Sequence, residues 1–313
     1  MREHRYPSRG LCSRILFALL ALTAFVELAS AQTLRERWLE RRNARVAQDS
    51  DIQLPDGVRL LRNIAYGNDP LQRMDIYLPA KLDHAPVLFM VHGGGWRLGD
   101  KAHRPVVENK VKHWVTTGFI FVSVNYRMLP DTGPLEQSRD VAKALAFAQT
   151  KAADWGGDAD RFILMGHSAG AHLVALLSAA PDAAYALGAK PWLGTVALDS
   201  AAYDVARIMQ SRHPRLYDDA FGNEPAQWTA LSPIAVLSDE ARPLLAICSS
   251  QRRDSCPQAR AYMTKANARK LSASVQPEDL SHAEINAQLG LAGPYTRAVD
   301  DFIASLLAKP TDH

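Results

Sequence analysis

Short apolar runs that alternate with longer amphipathic stretches are the feature that most limits what this chain of 313 residues can fold into. The runs at 86–91, 119–124 and 162–165 are almost wholly apolar, which is typical of strands buried on both faces. The stretches between them carry apolar residues at helical spacing. This alternation predicts an α/β fold in which helices flank a mostly parallel central sheet.

The same patterns give approximate bounds for the elements. We predict strands at 59–65, 73–78, 86–91, 119–124, 162–165, 195–198, 244–248 and 273–276, and helices at 103–116, 135–155, 169–179, 258–271 and 295–307. In sheets of this kind ligands bind beyond the carboxyl ends of the strands. Functional residues are therefore expected in the loops that follow the strands.

The N-terminal segment 1–31 has the pattern of a secretory signal peptide. Four arginines precede a stretch of 12 mostly apolar residues, Ile15–Val26, and Ala29-Ser30-Ala31 then supplies a cleavage site. The apolar stretch is short for a membrane span, which needs about 20 residues. We therefore predict an exported protein, periplasmic or secreted, in which an N-terminal arm at 32–55 leads into a catalytic domain at 56–313.

The charge balance argues against two classes of partner. The formal charge is +3, and removal of segment 1–31 takes away four Arg and two Glu, which leaves +1. A nearly neutral protein gives no reason to expect a nucleic acid or an anionic membrane surface as partner. No H-E-x-x-H spacing or similar metal-ligand pattern occurs in the sequence, so neither a metal nor another cofactor is expected.

The segment Gly166-His167-Ser168-Ala169-Gly170 lies between a predicted strand and a predicted helix. In this context G-x-S-x-G forms a tight, strained turn that exposes the serine hydroxyl above the sheet. Ser168 at the start of a helix also directs the helix dipole toward a developing negative charge. We predict that Ser168 is a catalytic nucleophile, and the alternative is a purely structural turn.

The segment His92-Gly93-Gly94-Gly95-Trp96 directly follows the strand at 86–91. Consecutive glycines let backbone N–H groups approach a substrate oxygen without obstruction by side chains. Such donors form an oxyanion hole together with the N–H of Ala169, the residue after the nucleophile. A phosphate-binding loop fits poorly, because Leu98 and Asp100 occupy positions that the dinucleotide and P-loop patterns do not allow.

These two motifs together resemble the hormone-sensitive-lipase-like and BD-FAE-like carboxylesterases of the α/β-hydrolase family, over about residues 60–308. The resemblance implies hydrolysis of esters or related acyl compounds through an acyl-enzyme, without a cofactor. It also implies that Gly94 and Gly95 supply N–H donors to the oxyanion, and Gly93 remains a third candidate. The substrate is then a small-molecule or polymer-linked ester.

The other members of a catalytic triad should follow in the order serine, acid, histidine. Asp254 is the only acidic residue between Glu240 and Glu278 and follows the seventh predicted strand, so we predict that it is the acid. Asp199, at the end of the sixth strand, is the next candidate.

His282 follows the last predicted strand, and we predict that it is the base. The remaining histidines near the motifs have more ordinary interpretations. His92 is expected to brace the glycine loop, and His167 occupies the variable position of the elbow. A base at His172 would break the triad order.

Cys248 and Cys256 are the cysteines that remain after removal of the signal segment. An oxidising compartment favours a disulfide between them, and the resulting loop would contain Asp254. The alternative is two separate buried thiols.

Segment 201–232 has an irregular pattern and lies where relatives carry part of a cap over the active site. We predict a small cap there. Its aromatic residues and the tryptophan of the glycine loop are candidate pocket residues, with packing of the cap as the alternative. These candidates are Trp96, Tyr203, Tyr217, Phe221 and Trp228.

The leading functional interpretation is a serine-dependent hydrolase of short acyl or aromatic carboxylic esters. An arylformamidase or a related amidase is the second interpretation, because it shares the H-G-G-x-W pattern, although export argues against it. A non-catalytic ligand-binding homologue is the third, and it usually lacks a member of the triad.

Overall fold

The computed structural model describes residues 52–308 of the chain. The predicted signal peptide at 1–31 and all of the predicted arm except 52–55 lie outside the described residues.

One eight-stranded sheet organises the described residues, in the order β1-β2-β4-β3-β5-β6-β7-β8. Its strands are β1 (Arg59–Ala65), β2 (Arg73–Leu78), β3 (Ala85–Val91), β4 (Ile120–Val124), β5 (Gly157–His167), β6 (Gly194–Leu198), β7 (Leu244–Ser249) and β8 (Ala273–Glu278). β2 pairs antiparallel with both β1 and β4, and all the other pairings are parallel. The predicted mostly parallel sheet is confirmed.

The central strands are apolar on both faces because each face is covered by helices. Along β3, Val87 and Phe89 point into one hydrophobic cluster while Leu88 and Met90 point into the other. Side chains of a strand alternate between the faces of a sheet. A strand between two helical layers therefore needs an unbroken apolar run, which explains the pattern of the sequence.

Eleven helices accompany the sheet within the described residues. They are α1 (Arg104–Lys110), α2 (Pro134–Lys151), α3 (Ala169–Ala179), α4 (Asp182–Tyr185), α5 (Val205–Met209), α6 (Arg215–Phe221), α7 (Pro225–Ala230), α8 (Pro233–Val236), α9 (Ser255–Ala268), α10 (His282–Gln288) and α11 (Pro294–Leu307). The helix predicted at 103–116 is divided, since α1 continues as a π-helical turn, Val111–Val115.

Segment 201–232, which the sequence predicts as a small cap, contains the three short helices α5, α6 and α7. It connects β6 to α8 and β7 and thus begins at the carboxyl edge of the sheet. Within residues 52–308, no helix combines the length and the apolar character that crossing a bilayer requires.

Candidate active site

Ser168 stands at the turn between β5 and α3, with the backbone angles φ 56° and ψ −117°. A positive φ is unusual for a residue with a side chain and indicates local strain. The turn needs glycine on both sides. A Cβ at Gly166 would lie 2.5 Å from the carbonyl oxygen of Gly170, and one at Gly170 would lie 2.3 Å from that of Val91. The sequence motif is thus a consequence of backbone crowding.

His282 is the first residue of α10, and its Nε2 lies 2.9 Å from Oγ of Ser168. The helix start is well defined because Ser281 and Glu284 form a reciprocal capping box. The structure therefore brings together the serine and the histidine that the sequence singled out, with the imidazole in hydrogen-bond reach of the hydroxyl.

Lys110 is fully buried beside α10, a placement that the sequence did not suggest. Its Nζ donates to the backbone oxygen of Asn286 at 2.6 Å and to Oδ1 of the same residue at 3.0 Å. Burial lowers the pKa of Lys110 to about 7. The contacts connect α1 to the helix that begins with His282.

The acid beside His282 is Asp199, and the prediction of Asp254 is wrong. Oδ2 of Asp199 lies 2.5 Å from Nδ1 of His282. Asp199 follows β6 directly, has a φ of 53° and is fully buried. The side chain of Asp254 is 53% exposed, and its Oδ1 lies 3.4 Å from Nη2 of Arg252.

The cause of the error is the direction of the loop after β7. This loop runs from Ser250 into α9, and Asp254 is the residue that precedes the helix. The carboxylate of Asp254 is largely exposed to solvent. Asp199, at the end of β6, instead lies next to the imidazole of His282. Both aspartates satisfy the expected chain order, so the sequence could not separate them.

Four donors converge on the carboxylate of Asp199. The amide of Ser249 donates to Oδ1 at 2.8 Å, and the hydroxyl of Ser255 donates to the same oxygen. Nη1 of Arg252 donates to Oδ2 at 2.9 Å, beside Nδ1 of His282. Burial alone raises the pKa of Asp199, but these hydrogen bonds outweigh it and hold the pKa well below its usual value. Asp199 is thus ionised over the whole physiological range.

The glycine loop after β3 lies against the nucleophile. A Cβ on Gly93 would lie 2.9 Å from Cβ of Ser168. Gly94 and Gly95 adopt φ values of 120° and 60°, which a residue with a side chain rarely adopts. Ala169 is the first residue of α3, where backbone N–H groups have no partner within the helix. The predicted donor residues and the serine therefore belong to one small region of the structure.

Trp96 ends the glycine loop and is held by His172 of α3. Nε1 of Trp96 donates to Nδ1 of His172 at 3.2 Å, and Nε2 of His172 lies 2.7 Å from the carbonyl oxygen of Leu231. Only the neutral imidazole with its proton on Nε2 satisfies both contacts. Burial lowers the pKa of His172 to about 4, in agreement with this form.

His92 and His167 also have supporting positions. The ring of His92 stacks on Tyr126, with centroids 4.6 Å apart. Nε2 of His167 lies 3.0 Å from the backbone oxygen of His282. Burial, and next the nearby imidazole of His282, lower the pKa of His167 to about 3, so it donates this hydrogen bond as a neutral ring.

The predicted pocket residues separate into two groups. Trp96 contacts the rings of Tyr217 and Phe221, at centroid distances of 5.9 and 4.9 Å. Nε1 of Trp228 donates to the carbonyl oxygen of Gly222 at 3.0 Å, at the end of α6. Tyr203 instead packs in a separate apolar cluster with Tyr262, and the two rings are 5.4 Å apart.

The sulfur atoms of Cys248 and Cys256 lie at bonding distance in the structure. A disulfide between them would span the loop that supplies Arg252 and Ser255 to Asp199, rather than a loop that carries the acid. Over residues 52–308, no cluster of three or more His, Cys, Asp or Glu side chains is suited to hold a metal ion.

Comparison with known proteins gives a family match over part of the chain. Residues 74–190 match the family model described as BD-FAE. The esterase LipQ of Mycobacterium tuberculosis (strain ATCC 25618 / H37Rv) is 32% identical over 212 residues, which are 64% of this chain and 48% of LipQ. A probable isoprenylcysteine alpha-carbonyl methylesterase of Arabidopsis thaliana, ICMEL1, is 35% identical over 115 residues, 36% of this chain and 24% of that protein. The chain therefore spans about half or less of the length of these two relatives.

Among solved structures, esterase B from Lactobacillus rhamnosis (HN001) has a TM-score of 0.67 at 20% sequence identity. The likeness covers 90% of this chain and 94% of esterase B, so the two proteins share nearly the whole fold. The chain therefore has the α/β-hydrolase fold, and its residues 74–190 are similar to the BD-FAE family.

Proposed function

We propose that this protein hydrolyses carboxylic esters through an acyl-enzyme on Ser168. The observation that carries the proposal is the continuous chain of contacts from Oγ of Ser168 through the imidazole of His282 to the carboxylate of Asp199, at 2.9 and 2.5 Å. A nucleophile, a base within reach of its proton and an acid that orients the base are the parts that serine hydrolysis needs.

In the proposed mechanism, His282 accepts the proton of Ser168 through Nε2 while Oγ attacks the acyl carbon. The imidazolium then donates that proton to the leaving alcohol, and water repeats the sequence on the acyl-enzyme. Asp199 keeps Nδ1 protonated and stabilises the imidazolium by its negative charge. The low pKa of Asp199 favours this role, because the carboxylate is ionised whenever the base is active.

Amide groups of Ala169 and of the glycine loop are the proposed oxyanion donors. Gly93 lies so close to Ser168 that a Cβ on it would clash with the side chain of the nucleophile. Gly94 is the next residue, so its N–H is a candidate donor. With Gly95 and Ala169 this gives three candidate donors in the places where oxyanion holes of this fold occur. A preformed donor of this kind contributes about 3–4 kcal/mol to stabilisation of the transition state.

The names of the relatives support an ester as the substrate class. LipQ is named an esterase, LipM of Mycobacterium tuberculosis (strain ATCC 25618 / H37Rv) a probable carboxylic ester hydrolase, and esterase B has a closely similar fold. Short acyl or aromatic esters are the proposed substrates. Trp96 and Tyr217, which pack together beside the glycine loop, are the candidate contacts for them.

The decisive test is Ser168→Ala, assayed with p-nitrophenyl acetate. We expect a loss in kcat of about 10⁴-fold or more, as removal of a triad nucleophile produces elsewhere. An organophosphate should add its mass to the wild-type protein and not to the variant. Ser305→Ala, an exposed serine of α11, is the matched control. Ester turnover that survives in pure Ser168→Ala protein would end the proposal, and formylkynurenine as a parallel substrate separates an ester from an amide preference.

We further propose that the protein acts outside the cytoplasm. The pattern of residues 1–31 supports this proposal, as does the proximity of Cys248 and Cys256 in the structure. Disulfides persist in oxidising compartments and are rare in the cytosol.

A further inference from the structure

We propose that Arg252 is a positioning residue for the triad, which fixes the carboxylate of Asp199 and couples it to the cap. The inference rests on the proposed function and deepens it. Nothing in the motifs of the sequence points to this arginine, and its role follows from the contacts of one guanidinium group.

Nη1 of Arg252 lies 2.9 Å from Oδ2 of Asp199 and 3.1 Å from the backbone oxygen of the same residue. The same nitrogen is 3.0 Å from Nδ1 of His282. Because a guanidinium group has no acceptor, Nη1 and Nδ1 both donate to the carboxylate. Oδ2 is therefore held between the arginine and the imidazole, and the carboxylate cannot rotate away from Nδ1 without losing both bonds.

The charges around Arg252 come from four elements. Asp199 ends β6, His282 begins α10, Tyr217 lies on α6, and Asp254 belongs to the same loop as the arginine. Arg252 is always protonated, so its positive charge next to the imidazole opposes a second positive charge there. The positive charge of Arg252 and the negative charge of Asp199 thus both act at Nδ1 of His282.

The cap comes close to the same guanidinium through Tyr217, whose phenol interacts electrostatically with Arg252. The helix α6 that carries Tyr217 also contacts the glycine loop. Asp219 pairs with Arg97 at 2.9 Å, and a Cβ on Gly95 would lie 2.8 Å from Leu216. One short helix therefore contacts the glycine loop and brings Tyr217 near the residue that holds the acid.

A merely structural role for Arg252 makes different predictions from a positioning role. Loss of a structural contact lowers the free energy of unfolding and leaves the kinetics of the folded molecules unchanged. Loss of a positioning contact lowers kcat, leaves KM nearly unchanged and alters the pH profile. Lysine keeps the charge but lacks the planar fork, so it separates the contribution of charge from that of geometry.

The experiment compares Arg252→Gln, Arg252→Lys and the control Arg253→Gln, with p-nitrophenyl acetate across pH 5 to 9. Arg253 is the exposed neighbour in the same loop, and its substitution removes an equal charge. We expect Arg252→Gln to lose roughly 10- to 100-fold in kcat, since it acts through an aspartate–histidine contact that itself contributes about 10⁴-fold. The acid limb of kcat/KM should move to higher pH, because a positive charge beside the imidazole is removed. Arg252→Lys should restore the acid limb and only part of kcat.

Three results would overturn the inference. One is a wild-type kcat and pH profile in Arg252→Gln. Another is a shift of the same size in the control Arg253→Gln. The third is a profile unchanged in both Arg252 variants alongside a lower melting temperature, which shows a structural role. If Arg252→Gln does not fold, the kcat of Arg252→Lys and the acid limb of its kcat/KM profile decide between a positioning and a structural role. Ser168→Ala measured in parallel keeps the two proposals apart, since its retained activity removes the proposed function whatever Arg252 does.

Discussion

The two halves of the site are built in different ways. On the nucleophile side, the backbones of the loops after β3 and β5 are so crowded that glycine is needed. A Cβ on Gly170, for example, would clash with the carbonyl oxygen of Val91. On the acid side, the ends of β6, β7 and β8 bring together polar side chains that are far apart in the sequence, such as Asp199, Arg252 and His282.

This difference determines which half of the site can be recognised from the sequence. A crowded turn requires glycine at fixed offsets, so the nucleophile side has a local signature. A hydrogen-bonded carboxylate requires only donors in space, and any loop that reaches the carboxyl edge can supply them. The acid side therefore has no local signature, and errors of prediction are expected there.

The sharpest test of this comparison pairs Asp199→Asn with Asp254→Asn. Asparagine at position 199 keeps the shape but removes the charge and favours the wrong imidazole tautomer, so we expect kcat to fall by about 10³- to 10⁴-fold. Asp254→Asn should change kcat by about 3-fold or less, because the carboxylate is half exposed and asparagine precedes a helix as well as aspartate does. Steady-state kinetics with p-nitrophenyl acetate measures both.

The two variants also act as controls for each other, since each removes one negative charge near Arg252. Circular dichroism establishes that both are folded. A large loss in Asp254→Asn together with a small loss in Asp199→Asn would falsify the assignment of the acid and restore the one expected from the sequence.

The sequence predicted the sheet, the elbow and the glycine loop because each depends on a local pattern. The helix predicted at 103–116 is helical in the structure, but its second half is a π-helical turn. Asp199 and Asp254 both follow strands and both precede His282, so chain order could not choose between them. No sequence pattern indicated a role for Arg252 or Lys110, because arginine is common in loops and lysine is almost never fully buried.

The proposed disulfide between Cys248 and Cys256 on the acid side provides the next test. Cys248→Ala with Cys256→Ala should lower the free energy of unfolding by about 2–3 kcal/mol, as estimated for so short a loop in the chain-entropy model. Urea denaturation of the mature protein measures this change. We also expect a loss in kcat that is smaller than that of Asp199→Asn, because the bridge acts on Asp199 only through the loop that carries Arg252.

Thiol titration of the unfolded, unreduced protein is the matching control. No free thiol should appear in the mature wild-type protein, and a reductant should destabilise the wild type but not the double variant. Two titratable thiols in the unreduced protein would remove the disulfide from the description of the acid side.

The smallest effect is expected on the nucleophile side, from the pH dependence of His172. Its pKa is about 4 in the folded protein and about 6.5 in an unfolded chain. As the pH falls below 6.5, the unfolded chain binds a proton that the folded protein refuses. The stability contributed by the neutral ring is therefore complete above pH 6.5 and is lost as the pH falls toward 4. Between pH 7 and 5 the loss amounts to about 2 kcal/mol.

His172→Gln should remove this part of the pH dependence, because a glutamine amide can accept from Trp96 and donate to Leu231 without titrating. Urea denaturation at pH 7 and pH 5 should show a drop in stability for the variant that is about 2 kcal/mol smaller than for the wild type. His167, which is buried beside His282, still contributes to both proteins. Equal drops in the two proteins would show that a charged His172 is tolerated in the fold. The pH dependence of stability would then come from other groups, of which His167 in the elbow is one.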